Sequence, residues 1–181
     1  MAIKPNGLST NDGLSYYGTF LETIIPYSLA LAGASLLGYL STERFINNPG
    51  LSYIKTSMLA ICLLTIGVIL TPYTLNITFS DLHELFGALT FILQGILTVR
   101  IVFFVRRDRL NFSLLLLELV GGLMSAYYLQ PKEGFLIQGQ MLFQLAFGLI
   151  MIRNAAGLSN ETDSLVPATS RQQQNRSNPL E

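Results

Sequence analysis

LFGALTFILQGILTVRIVFFV, from Leu85 to Val105, carries a single charge, Arg100, and no proline. A helix advances about 1.5 Å per residue, so roughly 20 apolar residues cross a hydrocarbon core about 30 Å thick. The stretch has that length, and it lacks the strict apolar/polar alternation of a barrel strand. It therefore predicts a membrane-spanning helix, whose backbone groups are satisfied within the segment.

Working outward, four more stretches read the same way: Phe20–Leu40, Ile54–Thr71, Phe112–Leu129 and, slightly short, Phe135–Ile152. Short segments with turn chemistry separate them: Asn47-Asn48-Pro49-Gly50, Thr71-Pro72-Tyr73, Arg106-Arg107-Asp108-Arg109 and Gln130-Pro131-Lys132-Glu133-Gly134. The expected fold is an all-α, polytopic membrane helical bundle of about five helices, with residues 1–157 forming one unit. Residues 158–181 are rich in Ser, Asn, Gln, Thr and Arg and poor in large apolar side chains, which predicts a disordered polar tail.

Composition agrees with that reading. Of 181 residues, 50% are hydrophobic and 12% charged, with a mean hydropathy of +0.47. A soluble domain normally carries about a quarter charged residues, so much of this surface is expected to face lipid. Eleven basic and eleven acidic residues cancel, which leaves no basic field to attract nucleic acid. The segment Met1–Ser15 lacks the basic and short apolar regions of a cleaved signal, so the first span is expected to be retained.

Orientation follows from the basic residues. An outside amino terminus places Arg44, Lys55, Arg100, Arg106, Arg107, Arg109, Arg153, Arg171 and Arg176 inside, and only Lys4 and Lys132 outside. Tyr16, Tyr17, Tyr27, Tyr73, Tyr127 and Tyr128 then fall near the outer interface as an aromatic belt. The expected location is the cell membrane, with an outer amino terminus and an inner, cytoplasmic carboxyl terminus.

Lipid supplies no hydrophobic incentive for helices to associate, so contact faces favour small residues. Ala30, Ala34 and Gly38 repeat on one face of the first span, and Gly121 with Ser125 and Gly122 with Ala126 do so on the fourth.

Chemistry-bearing residues are few. One histidine, His83, excludes a haem held by two histidines of this chain, and the single Cys62 has no disulfide partner. Phosphate loops, nucleophile elbows and paired-histidine zinc helices are missing from the sequence. No catalytic residue is assigned, and no cofactor is called for.

Two constellations bear on function. Arg100 and Glu118 stand nine residues either side of Arg109, so a hairpin turning there places them at equal depth, and an intramembrane ion pair is expected. The alternative has Arg100 reaching the interface and Glu118 protonated or facing water. Asp81, His83 and Glu84 open the third span, where a helix starting near Ser80 or Asp81 would use Asp81 and Glu84 as a capping box. With Glu22 of the first span they could instead form a ligand or metal site at the outer face. Gln94, Gln138, Gln140 and Gln144 are expected to bond between helices or line a polar cavity.

Gly67-Val68-Ile69-Leu70-Thr71-Pro72, followed by His83, Gly87, Ala88 and Phe91, resembles small multi-span bacterial and archaeal membrane proteins of a domain-of-unknown-function, Frag/DRAM-like group. The resemblance spans about Ala32 to Phe104; it implies a helical bundle and supplies no catalytic residues.

The leading functional expectation is a non-enzymatic protein that binds or moves a lipid or small solute, or serves as an accessory subunit. Expected partners are the bilayer and a second copy or a membrane subunit, with no nucleic acid. The alternatives are a membrane-embedded metal-dependent hydrolase using Asp81, His83 and Glu84, and a proton-coupled transporter subunit using Glu118.

Overall fold

Each expected span is a helix in the computed structural model, which describes residues 14–42, 51–72, 74–129 and 135–165. A 3-10 turn, Leu14–Gly18, precedes α1 (Leu21–Ser41), α2 (Ser52–Leu70), α3 (Ile77–Arg100), α4 (Arg109–Tyr128) and α5 (Leu136–Leu165). The last turn of α3 widens into a π-helical turn, Ile101–Val105, closed by the Arg106 N–H donating to the Ile101 carbonyl at 3.1 Å. All five helices are long and apolar enough to cross a membrane, and the described residues contain no strand. The chain is an integral, multi-pass membrane protein with a helical bundle fold.

Two boundaries differ from expectation. The third helix starts at Ile77, because the Asn76 side chain accepts the Phe79 N–H at 2.9 Å and caps the helix one turn before Ser80 and Asp81. Asparagine caps as well as serine or aspartate, and the earlier cap adds a turn of hydrogen bonds. Helix α5 continues to Leu165, so residues 158–165 of the stretch expected to be disordered are helical. Residues 166–181, like Tyr73 and the segment 130–134, lie outside the described residues.

The helices alternate in direction. One end of the bundle gathers the 3-10 turn, the starts of α1, α3 and α5 and the ends of α2 and α4; here it is termed the His83 end. At the opposite, Asp108 end, the start of α4 meets the end of α5.

The interior is apolar at the Asp108 half. Ile54, Met58 and Ile61 of α2 pack with Leu97, Ile101 and Val102, with Leu115 of α4, and with Phe147, Ile150 and Met151 of α5. In α2 the buried positions 54, 58, 61 and 65 recur at helical spacing, yet the outward face is equally apolar: Leu63 is 62% exposed and Leu70 67%. In water those faces would be unstable; hydrocarbon is the medium they fit. Burial also ranks the helices, since 6% of the most apolar window of α1 is buried against 44% for α5. Helix α1 is a peripheral helix leaning on α2, through Ser35 Oγ donating to Thr65 Oγ1 at 3.2 Å and Cys62 Sγ donating to the Ser35 carbonyl at 3.1 Å.

The tightest contact joins α4 to α5. A Cβ added at Gly121 would come within 2.6 Å of the Phe143 backbone nitrogen and 2.8 Å of the Gly139 carbonyl oxygen. One added at Gly139 would meet Ser125 N at 2.8 Å. Backbones touch here, as the Gly121/Ser125 spacing predicts. The other small-residue faces divide. Gly38 packs on Met58 and Gly122 on the Phe143 ring, whereas Ala30, Ala34 and Ala126 are exposed.

Candidate functional site

Polar side chains point inward and sit between α3, α4 and α5 at three levels. Nearest the His83 end, Gln94 and Gln144 exchange amide hydrogen bonds of 3.1 and 3.0 Å, beside the stacked rings of Phe91 and Phe143. One turn further along α3, Thr98 Oγ1 donates to Glu118 Oε1 at 3.1 Å. Glu118 is 1% exposed, and its Oε2 meets no hydrogen-bond donor. Beyond the apolar core, Asn111 and Asn154 pair through bonds of 3.3 and 3.4 Å, and both are fully buried.

The ion pair expected between Arg100 and Glu118 does not form. Arg100 lies over the Tyr53 ring of α2, with its guanidinium carbon 4.6 Å from the ring centroid. Both residues do sit at similar depth, but depth is only half of the geometry. A helix turns about 100° per residue, so Thr98 and Arg100 point roughly 200° apart, and it is Thr98 that faces α4.

At the Asp108 end the polar network is anchored by charge. Asp108 Oδ1 accepts the Asn111 N–H at 2.8 Å and caps α4, while its Oδ2 takes Arg153 Nη2 at 2.7 Å and Arg106 Nε at 2.9 Å. These contacts, the backbone bond from Asn111 foremost and then Arg153, hold the Asp108 carboxyl down to about 2. Asn111 Nδ2 also binds the Arg106 carbonyl at 2.8 Å, which ties the connecting turn to the buried asparagine pair. Composition offered no signal for Asn111 or Asn154, because an asparagine near a span end reads equally well as a loop residue.

At the His83 end, the imidazole brackets three elements. Nδ1 lies 2.8 Å from the Thr71 carbonyl and 3.1 Å from that of Val68, so it carries the proton and donates to both. These are terminal carbonyls of α2, which no later turn of that helix can satisfy. Nε2 stands 2.7 Å from Ser15 Oγ and fastens the 3-10 turn. A crevice lined by Ser15, Tyr27, Pro72 and His83 has a volume of only ≈ 10 Å³, about that of one water.

The three residues expected to form an outer site with His83 do not converge. Asp81, Glu84 and Glu22 are exposed on the helix surfaces, and no group of three or more His, Cys, Asp or Glu side chains gathers among the described residues. Asp81 and Glu84 do not begin the helix either, since that role falls to Asn76. Of the glutamines, Gln94 and Gln144 bond between helices as expected, and Gln140 Oε1 accepts the Leu14 N–H at 2.7 Å.

No protein-family model, curated protein or solved structure matches the chain.

Proposed function

We propose that this protein is a non-enzymatic membrane component that works through its bilayer-facing surfaces, as an accessory subunit. The observation carrying the reading is a closed interior. In the interior Gln94 pairs with Gln144 and Asn111 with Asn154, and the crevice at His83 has room for about one water. Drug-sized ligands occupy pockets of about 300–1,000 Å³, far above that volume, and the hollow of ≈ 740 Å³ lined by Arg107, Asp108 and Phe112 is an open surface depression at the turn before α4, not an interior cavity. Helix α1 adds to the case, because a span that buries only Thr23 within its own chain offers most of its surface to lipid or a neighbouring subunit.

Reconstitution tests it. Proteoliposomes loaded with a pH-sensitive dye are expected to leak protons no faster than protein-free vesicles. Gentle detergent extracts of native membranes are expected to carry the chain in an assembly larger than the purified chain alone. A protein-dependent flux together with a solitary chain in native extracts would defeat the proposal.

A second reading rests on Glu118. A buried carboxyl with one oxygen bonded to Thr98 and the other facing no donor is an unusual resident of a membrane interior, and such groups handle protons or ions in transporters. It calls for flux that Glu118→Gln abolishes while the fold is retained.

A further inference from the structure

Among the described residues, the ion pairs are Arg106 with Asp108 and Arg153 with Asp108. Arg100 belongs to neither. It is exposed on α3, inside the span and five residues before its end at Val105, and its surroundings are lipid-facing: Ile96 is 54% exposed and Phe104 79%. A cation held among bilayer-facing hydrocarbon side chains requires an anion or water. Five residues correspond to about 7 Å of helix, which an arginine side chain can span to the interface.

The side chain is held in place by protein. Its guanidinium lies 4.6 Å from the centroid of the Tyr53 ring, and Tyr53 is itself packed against the buried core of α2, α3 and α5. A guanidinium set over an aromatic ring keeps its planar fork of N–H donors, whose geometry suits two oxygens of one phosphate. The arrangement recurs on the other side of α2, where Lys55 Nζ lies 5.6 Å from the Tyr39 centroid. Two aromatic-backed cations thus lie at the Asp108 end, Lys55 on α2 and Arg100 on α3, and neither has a carboxylate partner among the described residues.

We propose that Arg100, set on Tyr53 in the groove between α2 and α3, binds the phosphate of an anionic phospholipid from the leaflet at the Asp108 end. The charge of the site favours lipids of net negative headgroup over zwitterionic ones, in the manner of basic patches at anionic membrane surfaces. Sequence expectation makes this the cytoplasmic end, where anionic lipids are enriched. The proposal is independent of the accessory role, since a lipid collar fits any activity of the bundle.

Native mass spectrometry of the full chain, delipidated in detergent and titrated with phosphatidylglycerol, reads the binding. The wild-type chain should retain one phosphatidylglycerol in preference to phosphatidylcholine, and Arg100→Gln should weaken that retention about tenfold, the scale of one lost charge-assisted contact. Millimolar inorganic phosphate should not displace the lipid, because the acyl chains contribute part of the binding. Unchanged retention in Arg100→Gln, equal retention of the two lipids, or full displacement by free phosphate would each overturn the proposal. If Arg100→Gln loses its thermal transition, Arg100→Lys decides instead. It keeps the charge but loses the planar fork, and it must also reduce the preference for phosphatidylglycerol or the assignment fails.

Discussion

Asp108 and Glu118 show how differently two carboxylates behave at the two depths of this bundle. Asp108 lies in the turn before α4, where a backbone N–H and two arginines hold its carboxyl at about 2, below its ordinary 3.8. A lowered acid contributes stability above its unfolded value, so this contribution is complete above roughly pH 4 and is lost as pH falls from there toward 2. Thermal unfolding in detergent should therefore show the wild type losing stability across that window, while Asp108→Asn starts less stable and changes less there. Glu118 is instead held by Thr98 alone, with Arg100 turned toward Tyr53. A double-mutant cycle of Arg100→Gln and Glu118→Gln should give a coupling energy below about 0.5 kcal/mol, as for side chains that do not share a contact. The same cycle on Thr98→Val and Glu118→Gln should give a clear coupling, roughly 0.5–3 kcal/mol, because these two touch.

Among the elements, the α4/α5 hairpin has the strictest steric demands. Gly121 and Gly139 sit where a methyl group would strike backbone atoms of the opposite helix, which cannot rotate out of the way as a side chain can. Gly121→Ala and Gly139→Ala are each expected to destabilise the bundle by about 1–3 kcal/mol, in the range of overpacked cores. Gly87, Gly95 and Gly148 have nothing within 4 Å of an added Cβ. Alanine there should be neutral or stabilise by up to about 1 kcal/mol, since it is the better helix former. Unfolding in mixed micelles of the five variants side by side checks both halves of the expectation. Sequence spacing had marked the Gly121/Ser125 face correctly, but the same spacing marked Ala30 and Ala34, which remain exposed. Small residues permit a close approach; they do not determine which helix makes it.

For the whole molecule, the outward faces are the dominant constraint. Leu21 is 89% exposed, Ile77 80% and Leu123 71%, on three different helices, so apolar surface surrounds the bundle. Withdrawing detergent should drive the purified chain into aggregates, whereas transfer to an amphipathic polymer should keep it monodisperse; size-exclusion chromatography distinguishes the two. Sequence by itself determined that the chain is a helical membrane bundle and placed its five spans, three of them within about three residues of the helix at each end. This was possible because crossing about 30 Å of hydrocarbon imposes a length and a composition that each helix must meet alone. Tertiary structure alone decided which polar groups meet. Pairing depends on how each helix is rotated about its axis, a shift of two residues turns a side chain to the opposite face, and an apolar span carries almost no periodicity from which that rotation could be read. Hence Arg100 and Glu118 share a depth without touching, and His83 closes the ends of other elements instead of joining Asp81 and Glu84 in a site.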